Sequence, residues 1–292
     1  MSVIPVPAPR VKTATPPLWP LTSHPSPKLN LVCFPHAGGN ADFFAKWPAN
    51  AVSGVQIHAV EYPGRGRRRD EPAAAEICPL ADEIASHILA LPAVPLVLFG
   101  HSMGSVVAFE VARRLADVES APPHALVVSN ITAPHRLHRR DPLPGTDDGV
   151  WEHSYSIGGI PKPIYRSRVL KNMMAPTLRA DYEMLNRYRC DPSPQISCPV
   201  TVLHSDGDVL TTLDDASAWN ESTVGTYSYE GFTAGISTSP NKKPWSPGLY
   251  PNLESATQPR NFGQPCPYSA RRAPPTARIS SNPCIESSPD RR

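Results

Sequence analysis

The sequence predicts an α/β fold: a mostly parallel sheet with helices on both faces and a helical insertion. Three observations predict it. Short apolar runs typical of buried strands alternate with segments of helical spacing, and this alternation produces parallel sheets covered on both faces. One such run, residues 94–99, leads directly into the pentapeptide GHSMG at residues 100–104. Residues 135–197 contain helical stretches but no convincing strand, so we expect them to form a lid above the carboxyl ends of the strands.

Hydrophobic spacing predicts the individual elements. Continuous or alternating apolar residues indicate strands, whereas apolar residues three and four positions apart indicate helices. Strands are predicted at residues 29–34, 55–60, 94–99, 124–130, 198–204 and 226–230. Outside the insertion, helices are predicted at residues 43–47, 79–91 and 106–115.

Proline content indicates where the domain begins and ends. Residues 1–27 contain eight prolines and little apolar periodicity, so we predict a disordered leader. Residues 28–232 form the predicted domain, with the lid at about 135–197. Residues 233–292 contain eleven prolines and no sustained period. Such a composition buries too little apolar surface to offset the entropy of ordering, and we predict a disordered tail.

Charge and cysteine content exclude several classes of function. The formal net charge is +2, with 28 basic and 26 acidic residues, which predicts neither nucleic acid nor a membrane surface as a partner. The six cysteines form no C-x-x-C pair and have no zinc-ligand spacing, so we predict no metal and no cofactor. Neither a signal peptide nor an apolar run of about 18 residues is recognisable. We therefore expect a cytoplasmic protein with reduced thiols.

The pentapeptide at residues 100–104 predicts a serine nucleophile. A buried strand followed by G-x-S-x-G and a helix forms the nucleophile elbow of the α/β-hydrolase fold. The two glycines allow the strand and the helix to approach each other closely, and the turn exposes the serine hydroxyl. The pattern therefore predicts Ser102 as the nucleophile of a serine hydrolase.

The base that this chemistry requires is missing from the expected place. In this fold the catalytic triad follows the order serine, acid, histidine, but the chain has no histidine after His204. A serine hydroxyl is a weak nucleophile unless a base accepts its proton. His36 is an alternative base if it lies near Ser102 and an acid orients it, whereas His101 and His204 are interpreted as structural.

Five motifs together resemble the type II thioesterases of polyketide and nonribosomal-peptide pathways. The resemblance covers about residues 28–232. It implies a cytoplasmic α/β-hydrolase without a cofactor, which cleaves acyl groups from the phosphopantetheine thiol of acyl or peptidyl carrier proteins. The motifs are FPHAGG at 34–39, EYPGRGR at 61–67, GHSMG at 100–104, IGGIP at 157–161 and LRADY at 178–182.

The resemblance implies roles for particular residues. Ser102 matches the nucleophile, and the backbone N–H groups of Met103 and Ala37 match the donors of the oxyanion hole. The family has Gly-Asp-x-Asp where this chain reads SDGD at residues 205–208. The second acid of that motif implies Asp208 as the triad acid, with Asp206 as the fallback.

The family's histidine motif, of the Gly-Gly-His-Phe type, is expected near Ile236, which is 28 residues after Asp208. For one permitted choice of codons, reading from the last base of the Gly235 codon spells His-Phe-Tyr-Leu-Thr-Glu-Gln. We therefore hypothesise a frameshift or a misplaced exon boundary between about Phe232 and Gly235, which accounts for the unusual tail.

Two other functions stay open at the level of sequence. Because the base is absent, the chain could be an inactive, truncated protein that still binds carrier proteins. The same elbow would also serve a lipase or esterase acting on oxygen esters. The arginines at positions 65, 67, 68 and 69 either dock an acidic carrier protein or form a solvated loop. Met173, Met174 and Met184 either line an acyl channel or belong to ordinary core.

Overall fold

The computed structural model describes residues 15–50, 53–116, 118, 122–139, 141–190, 196–205 and 210–232. Within these residues one seven-stranded sheet has the order β1-β3-β2-β4-β5-β6-β7. The strands are β1 (Leu18–Pro20), β2 (Leu29–Phe34), β3 (Val55–Val60), β4 (Leu96–His101), β5 (Pro123–Ser129), β6 (Val200–Ser205) and β7 (Tyr227–Phe232). The α-helices are α1 (Ile77–Ile88), α2 (Met103–Leu115), α3 (Asp147–Ser156), α4 (Lys162–Tyr165), α5 (Arg168–Arg187) and α6 (Leu213–Ser217).

The sheet is mostly parallel, as predicted. Strands β2 to β7 pair in parallel, and β1 pairs antiparallel with β3. The predicted disordered leader is therefore wrong for the residues of β1, whose Leu18 is buried opposite Val60. An edge strand tolerates prolines because one side of its backbone needs no partner, so proline content was a misleading signal here. Residues 1–14 lie outside the described residues.

Alternate residues of β2 belong to the two apolar layers of the domain, as the period of two in a strand requires. Val32 and Phe34 pack with α1 and α2 in the larger core cluster. Leu31 and Cys33 pack in a second cluster with Phe44. Cover on this second face comes, within the described residues, from two short 3-10 helices at Ala41–Phe44 and Trp47–Asn50.

The predicted helix at residues 43–47 is therefore wrong in type. Two 3-10 helices take its place, and Pro48 lies in the second. Proline has no backbone N–H and its ring clashes with the preceding turn, so Pro48 disfavours an α-helix that runs on from these residues.

The insertion consists of helices in its described part. Residues 141–190 hold α3, α4 and α5, and Ile196 makes an isolated bridge to Thr223. Side-chain caps start two of the helices. The Thr146 hydroxyl accepts the Gly149 N–H at 3.0 Å, and the Ser167 hydroxyl accepts the Leu170 N–H at 3.3 Å. A third apolar cluster, which includes Trp151 and Leu178, joins these helices and packs against Ala37.

Two predictions remain: the absence of a membrane-spanning helix, and the disorder of the tail at residues 233–292. None of the helices in the described part of the chain is long and apolar enough to span a membrane. Residues 233–292 lie outside the described residues, so the predicted disorder and the frameshift hypothesis stay predictions.

Candidate active site

Ser102 lies at the sharp turn between β4 and α2. Its backbone has φ 51° and ψ −124°, a region that residues with a side chain rarely occupy. Hydrogen bonds on both sides hold the turn: the Ser102 N–H donates to Ser129 O at 2.8 Å, and the Ser105 N–H donates to Ser102 O at 2.8 Å. The structure therefore places the predicted nucleophile on a strained, well-fixed backbone.

The two glycines of the motif are required by close backbone contacts. A Cβ atom on Gly100 would lie 2.3 Å from the Cα atom of Ser105. A Cβ atom on Gly104 would lie 2.1 Å from the carbonyl oxygen of Phe34 and 2.7 Å from that of Pro35. Glycine at position 104 thus lets the first turn of α2 lie directly on the end of β2, where the next loop begins.

The Met103 N–H, predicted as an oxyanion donor, belongs to the first residue of α2. The first four N–H groups of an α-helix have no partner within the helix, and the helix dipole makes this end favourable for negative charge. The Met103 side chain is fully buried, so its backbone is held by core packing as well as by the helix.

Ala37, the other predicted donor, lies in the loop of residues 35–39, which follows β2. Within this loop the Gly39 N–H donates to His36 O at 2.9 Å. The peptide group that carries His36 O also carries the Ala37 N–H, and because the group is planar and trans, this bond fixes the direction of that N–H. The loop is held from outside by Tyr62, whose hydroxyl donates to Pro35 O at 3.1 Å.

A buried ion pair fastens the same loop to the lid. The Gly38 N–H donates to Asp181 Oδ2 at 2.7 Å, and Gly38 has a positive φ of 73°. Both terminal nitrogens of Arg65 lie 2.6 Å from the Asp181 carboxylate oxygens, and Arg65 Nη1 also donates to Gly39 O at 3.2 Å. Asp181 lies on α5, so one carboxylate joins three separate segments of the chain.

Burial and charge act in opposite directions on Arg65. Burial alone lowers the pKa of its guanidinium, but the charge and hydrogen bonds of Asp181 raise that pKa above its ordinary value. Arg65 therefore stays protonated and paired. Sequence analysis assigned no role to Asp181, although it lies in the LRADY motif. Asp181 follows Leu178 by three positions, on the buried face of α5, but a single charge within an apolar pattern does not reveal its partner.

For two of the four arginines at positions 65, 67, 68 and 69, neither alternative, docking of an acidic partner or solvation, is correct. Arg65 and Arg68 are buried, and Arg68 pairs with Glu71 at 2.5 Å and Glu83 at 2.7 Å. Arg67 packs over the Trp19 ring at 3.8 Å from its centroid. Much of this basic stretch therefore neutralises acids within the domain and organises the loop after β3.

Two histidines, His101 and His36, lie near the elbow, and burial acts on the pKa of both. His101 Nδ1 lies 3.1 Å from Ser129 Oγ, and its ring stacks on Phe43 with centroids 5.7 Å apart. Burial, followed by the charge of His36, lowers the pKa of His101 to about 3. His36 Nδ1 lies 2.8 Å from Ala37 O, and burial lowers the pKa of His36 as well. Both rings are therefore neutral near pH 7.

His204 is also engaged on both sides of its ring. Its Nε2 atom lies 3.0 Å from Thr211 O, and its Nδ1 atom lies 3.4 Å from the Tyr229 hydroxyl. The sequence interpretation of His204 as structural agrees with these contacts. Asp208, its fallback Asp206, and position 236 lie outside the described residues, so their assignments stay predictions.

The three methionines divide between core and surface. Met184 is 1% exposed and belongs to the main core. Met173, on α5, is 69% exposed. Met174 is 37% exposed. Met184 is therefore ordinary core, and a channel-lining role for Met173 and Met174 stays a prediction.

Comparison with known proteins agrees with this geometry. The model of the thioesterase domain family matches residues 29–236. A probable cadicidin biosynthesis thioesterase of Streptomyces griseus is 36% identical over 224 residues, which is 74% of this chain but only 60% of that protein. Thioesterase PikA5 of Streptomyces venezuelae is 32% identical, over 75% of this chain and 79% of that protein.

Among solved structures, the type II thioesterase BorB from the borrelidin biosynthetic cluster is 32% identical. It superimposes with a TM-score of 0.64, over 74% of this chain and 88% of that protein. The family match ends at residue 236, close to the end of the predicted resemblance at about residue 232. The resemblance carried by the five motifs is confirmed, and the chain belongs to the family of thioesterase domains, with the α/β-hydrolase fold.

Proposed function

We propose that this protein is an acyl thioesterase with Ser102 as its nucleophile. Its substrates are acyl groups held on the phosphopantetheine thiol of acyl or peptidyl carrier proteins of a polyketide or nonribosomal-peptide pathway, in the cytoplasm. The observation that carries the proposal is the elbow, where Ser102 lies at positive φ between β4 and α2. The biosynthetic relatives support the class of substrate.

The chemistry proceeds through a covalent acyl-enzyme. Ser102 Oγ attacks the thioester carbonyl carbon, its proton passes to a base, and the thiol leaves with a proton from that base. Water then attacks the acyl ester and releases the acid. The N–H groups of Met103 and Ala37 stabilise the oxyanion in both steps, and a single donor of this kind is worth roughly 10²–10³ in kcat.

This mechanism requires a base that accepts the Ser102 proton. Asp208, or Asp206 as the fallback, would orient an imidazole, but the chain has no histidine after His204. His101 is a poor substitute because burial holds its pKa at about 3, far from the working pH. The absent histidine favours a second candidate function: a protein that binds carrier proteins without turnover.

A direct test compares two proteins: the 292-residue chain, and a variant whose reading frame is shifted from codon 235 to restore the histidine motif. Hydrolysis is measured on acyl-loaded carrier protein, acyl-pantetheine and a nitrophenyl ester of the same acyl chain. Ser102→Ala is made in both proteins, with Ser86→Ala on the exposed side of α1 as the matched control. The nucleotide sequence around codons 232–236 is determined in parallel.

The three candidate functions give different results. A thioesterase hydrolyses the carrier-bound thioester in the frame-shifted form, loses that activity with Ser102→Ala and keeps it with Ser86→Ala. The carrier-binding candidate holds the loaded carrier protein but shows no Ser102-dependent turnover in either form. An esterase prefers the nitrophenyl ester, and this preference would contradict the proposed substrate class.

A further inference from the structure

We infer that Asp181, together with Arg65, is a positioning residue for the oxyanion hole. The hole therefore forms only when the lid helix α5 packs against the 35–39 loop. This inference rests on the proposed function, because it concerns the backbone N–H of Ala37. It gives a role to a lid residue that contacts no reacting atom.

The first step is the peptide group between Ala37 and Gly38. Its carbonyl oxygen lies 2.8 Å from His36 Nδ1, and its N–H donates to Asp181 Oδ2 at 2.7 Å. Both polar ends of this planar group are therefore held, and the group cannot rotate without losing two hydrogen bonds. The preceding peptide group, which carries the Ala37 N–H, is held by the bond from the Gly39 N–H to His36 O, so the backbone is held on both sides of the Ala37 Cα atom.

The second step is the burial of the ionic cluster. Asp181 is 1% exposed and Arg65 is 7% exposed, and Arg65 binds both the carboxylate and Gly39 O. A buried ion pair gives little net stability compared with apolar packing, and its better attested use is to select one conformation. Here the selected conformation is that of the 35–39 loop.

The third step is the packing of α5 on the loop. A Cβ atom on Gly38 would lie 3.1 Å from Leu178 Cδ1, one turn before Asp181 on the same helix. The middle of α5 therefore supplies both an apolar contact and the acceptor for the Gly38 N–H. If this part of the helix moved away, Gly38 would lose its acceptor and Arg65 would be left as an unpaired buried charge.

The chain offers a matched control in Glu110 on α2. Its carboxylate is also 1% exposed, pairs with two arginines, Arg113 at 2.8 Å and Arg114 at 2.6 Å, and accepts the Tyr188 hydroxyl at 2.7 Å. None of these contacts involves a residue of the 35–39 loop. Asp181→Asn and Glu110→Gln thus remove the same kind of buried charge at two different places.

The experiment measures backbone hydrogen exchange of the amides of residues 36–39 in the full chain and in both variants. Urea unfolding measures the global stability of each protein, so that exchange is compared at equal stability. We expect Asp181→Asn to speed exchange in this segment about tenfold or more relative to Glu110→Gln. In a form that turns over acyl-pantetheine, Asp181→Asn should lower kcat roughly 10- to 100-fold, less than or comparable to loss of an oxyanion donor, and leave KM within about twofold.

Equal exchange in the 35–39 segment of the two variants, at matched stability, would overturn the inference. So would a fall in kcat of the same size in both. If Asp181→Asn does not fold, Arg65→Lys keeps the charge but loses the two-pronged contact, and it is measured in the same way. If no form hydrolyses any thioester, the proposed function fails while the exchange measurement still decides whether Asp181 positions the loop.

Discussion

The elbow and the 35–39 loop supply the two sides of the candidate oxyanion hole, but they are fixed by different physics. The elbow is fixed by backbone contacts so close that only glycine fits at positions 100 and 104. The loop is fixed by side chains from elsewhere in the chain: Arg65, 26 positions from Gly39, and Asp181, 143 positions from Gly38.

This difference decides how each region responds to change. A steric requirement is absolute, because a single methyl group at the wrong place displaces a strand or a helix. The Asp181–Arg65 ion pair can be weakened in steps, and it forms only when α5 packs against the loop. We therefore expect substitutions at Gly100 or Gly104 to affect the whole fold, and substitutions at Asp181 or Arg65 to affect the 35–39 loop.

The largest effect is expected for Gly104→Ala. Helix propensity alone predicts that alanine stabilises α2 at this position by about 1 kcal/mol. The new Cβ atom would lie 2.1 Å from Phe34 O, so β2 and α2 must separate, and we expect a net loss of more than about 4 kcal/mol or no folded protein. Urea unfolding measures the change.

Gly145→Ala is the control for this prediction, because a Cβ atom at that exposed position meets nothing within 4 Å. It should alter stability by less than about 0.5 kcal/mol. Comparable losses in the two variants would show that the close approach of α2 to β2 does not determine the cost.

The same contrast explains what the sequence could predict. The G-x-S-x-G motif is recognisable from the sequence because its steric requirements act within five residues. The strands are recognisable because burial requires continuous apolar runs. The role of Asp181 was not predictable, since it depends on a partner 116 positions away. Arg65 and Arg68 were predicted to be solvated or docking residues because sequence shows charge but not the acids that neutralise it.

Errors at the edges of the fold have local causes. Strand β1 was hidden by prolines, which an edge strand accepts, and its pairing with β3 is invisible in a three-residue run. Two 3-10 helices replace the helix predicted at 43–47, and the second contains Pro48. The triad acid illustrates a different limit: its identification came from a family motif, and it stays a prediction because Asp206 and Asp208 lie outside the described residues.

The second prediction concerns the junction between the two regions, where the His101 ring lies 5.9 Å from the His36 ring. The pKa of His101 is lowered from 6.5 to about 3, so the unfolded chain binds a proton at a higher pH than the folded one. Stability should therefore fall as pH falls from about 6.5 towards 3. Between pH 7 and pH 5 this one group contributes a loss of about 2 kcal/mol.

Urea unfolding at pH 7 and pH 5, for the parent protein and for His101→Gln, separates this contribution. Burial also lowers the pKa of other histidines, His36, His58, His135 and His153, so the variant should keep part of the pH dependence. A pH dependence as steep in His101→Gln as in the parent would contradict the prediction.

The smallest effect tests the strain at the nucleophile itself. Ser102→Ala keeps the Cβ atom at φ 51° and so keeps the strain, whereas Ser102→Gly removes it. Backbone strain of this kind costs about 1–3 kcal/mol, and the greater freedom of glycine in the unfolded chain returns about 0.5–1 kcal/mol of that. We therefore expect Ser102→Gly to be more stable than Ser102→Ala by about 1 kcal/mol.

Asn130→Gly is the matched control, because Asn130 has nearly the same φ of 53° but asparagine adopts positive φ readily. Differential calorimetry of the three variants measures the order, and a Ser102→Gly protein no more stable than Ser102→Ala would mean that the elbow holds its serine without strain.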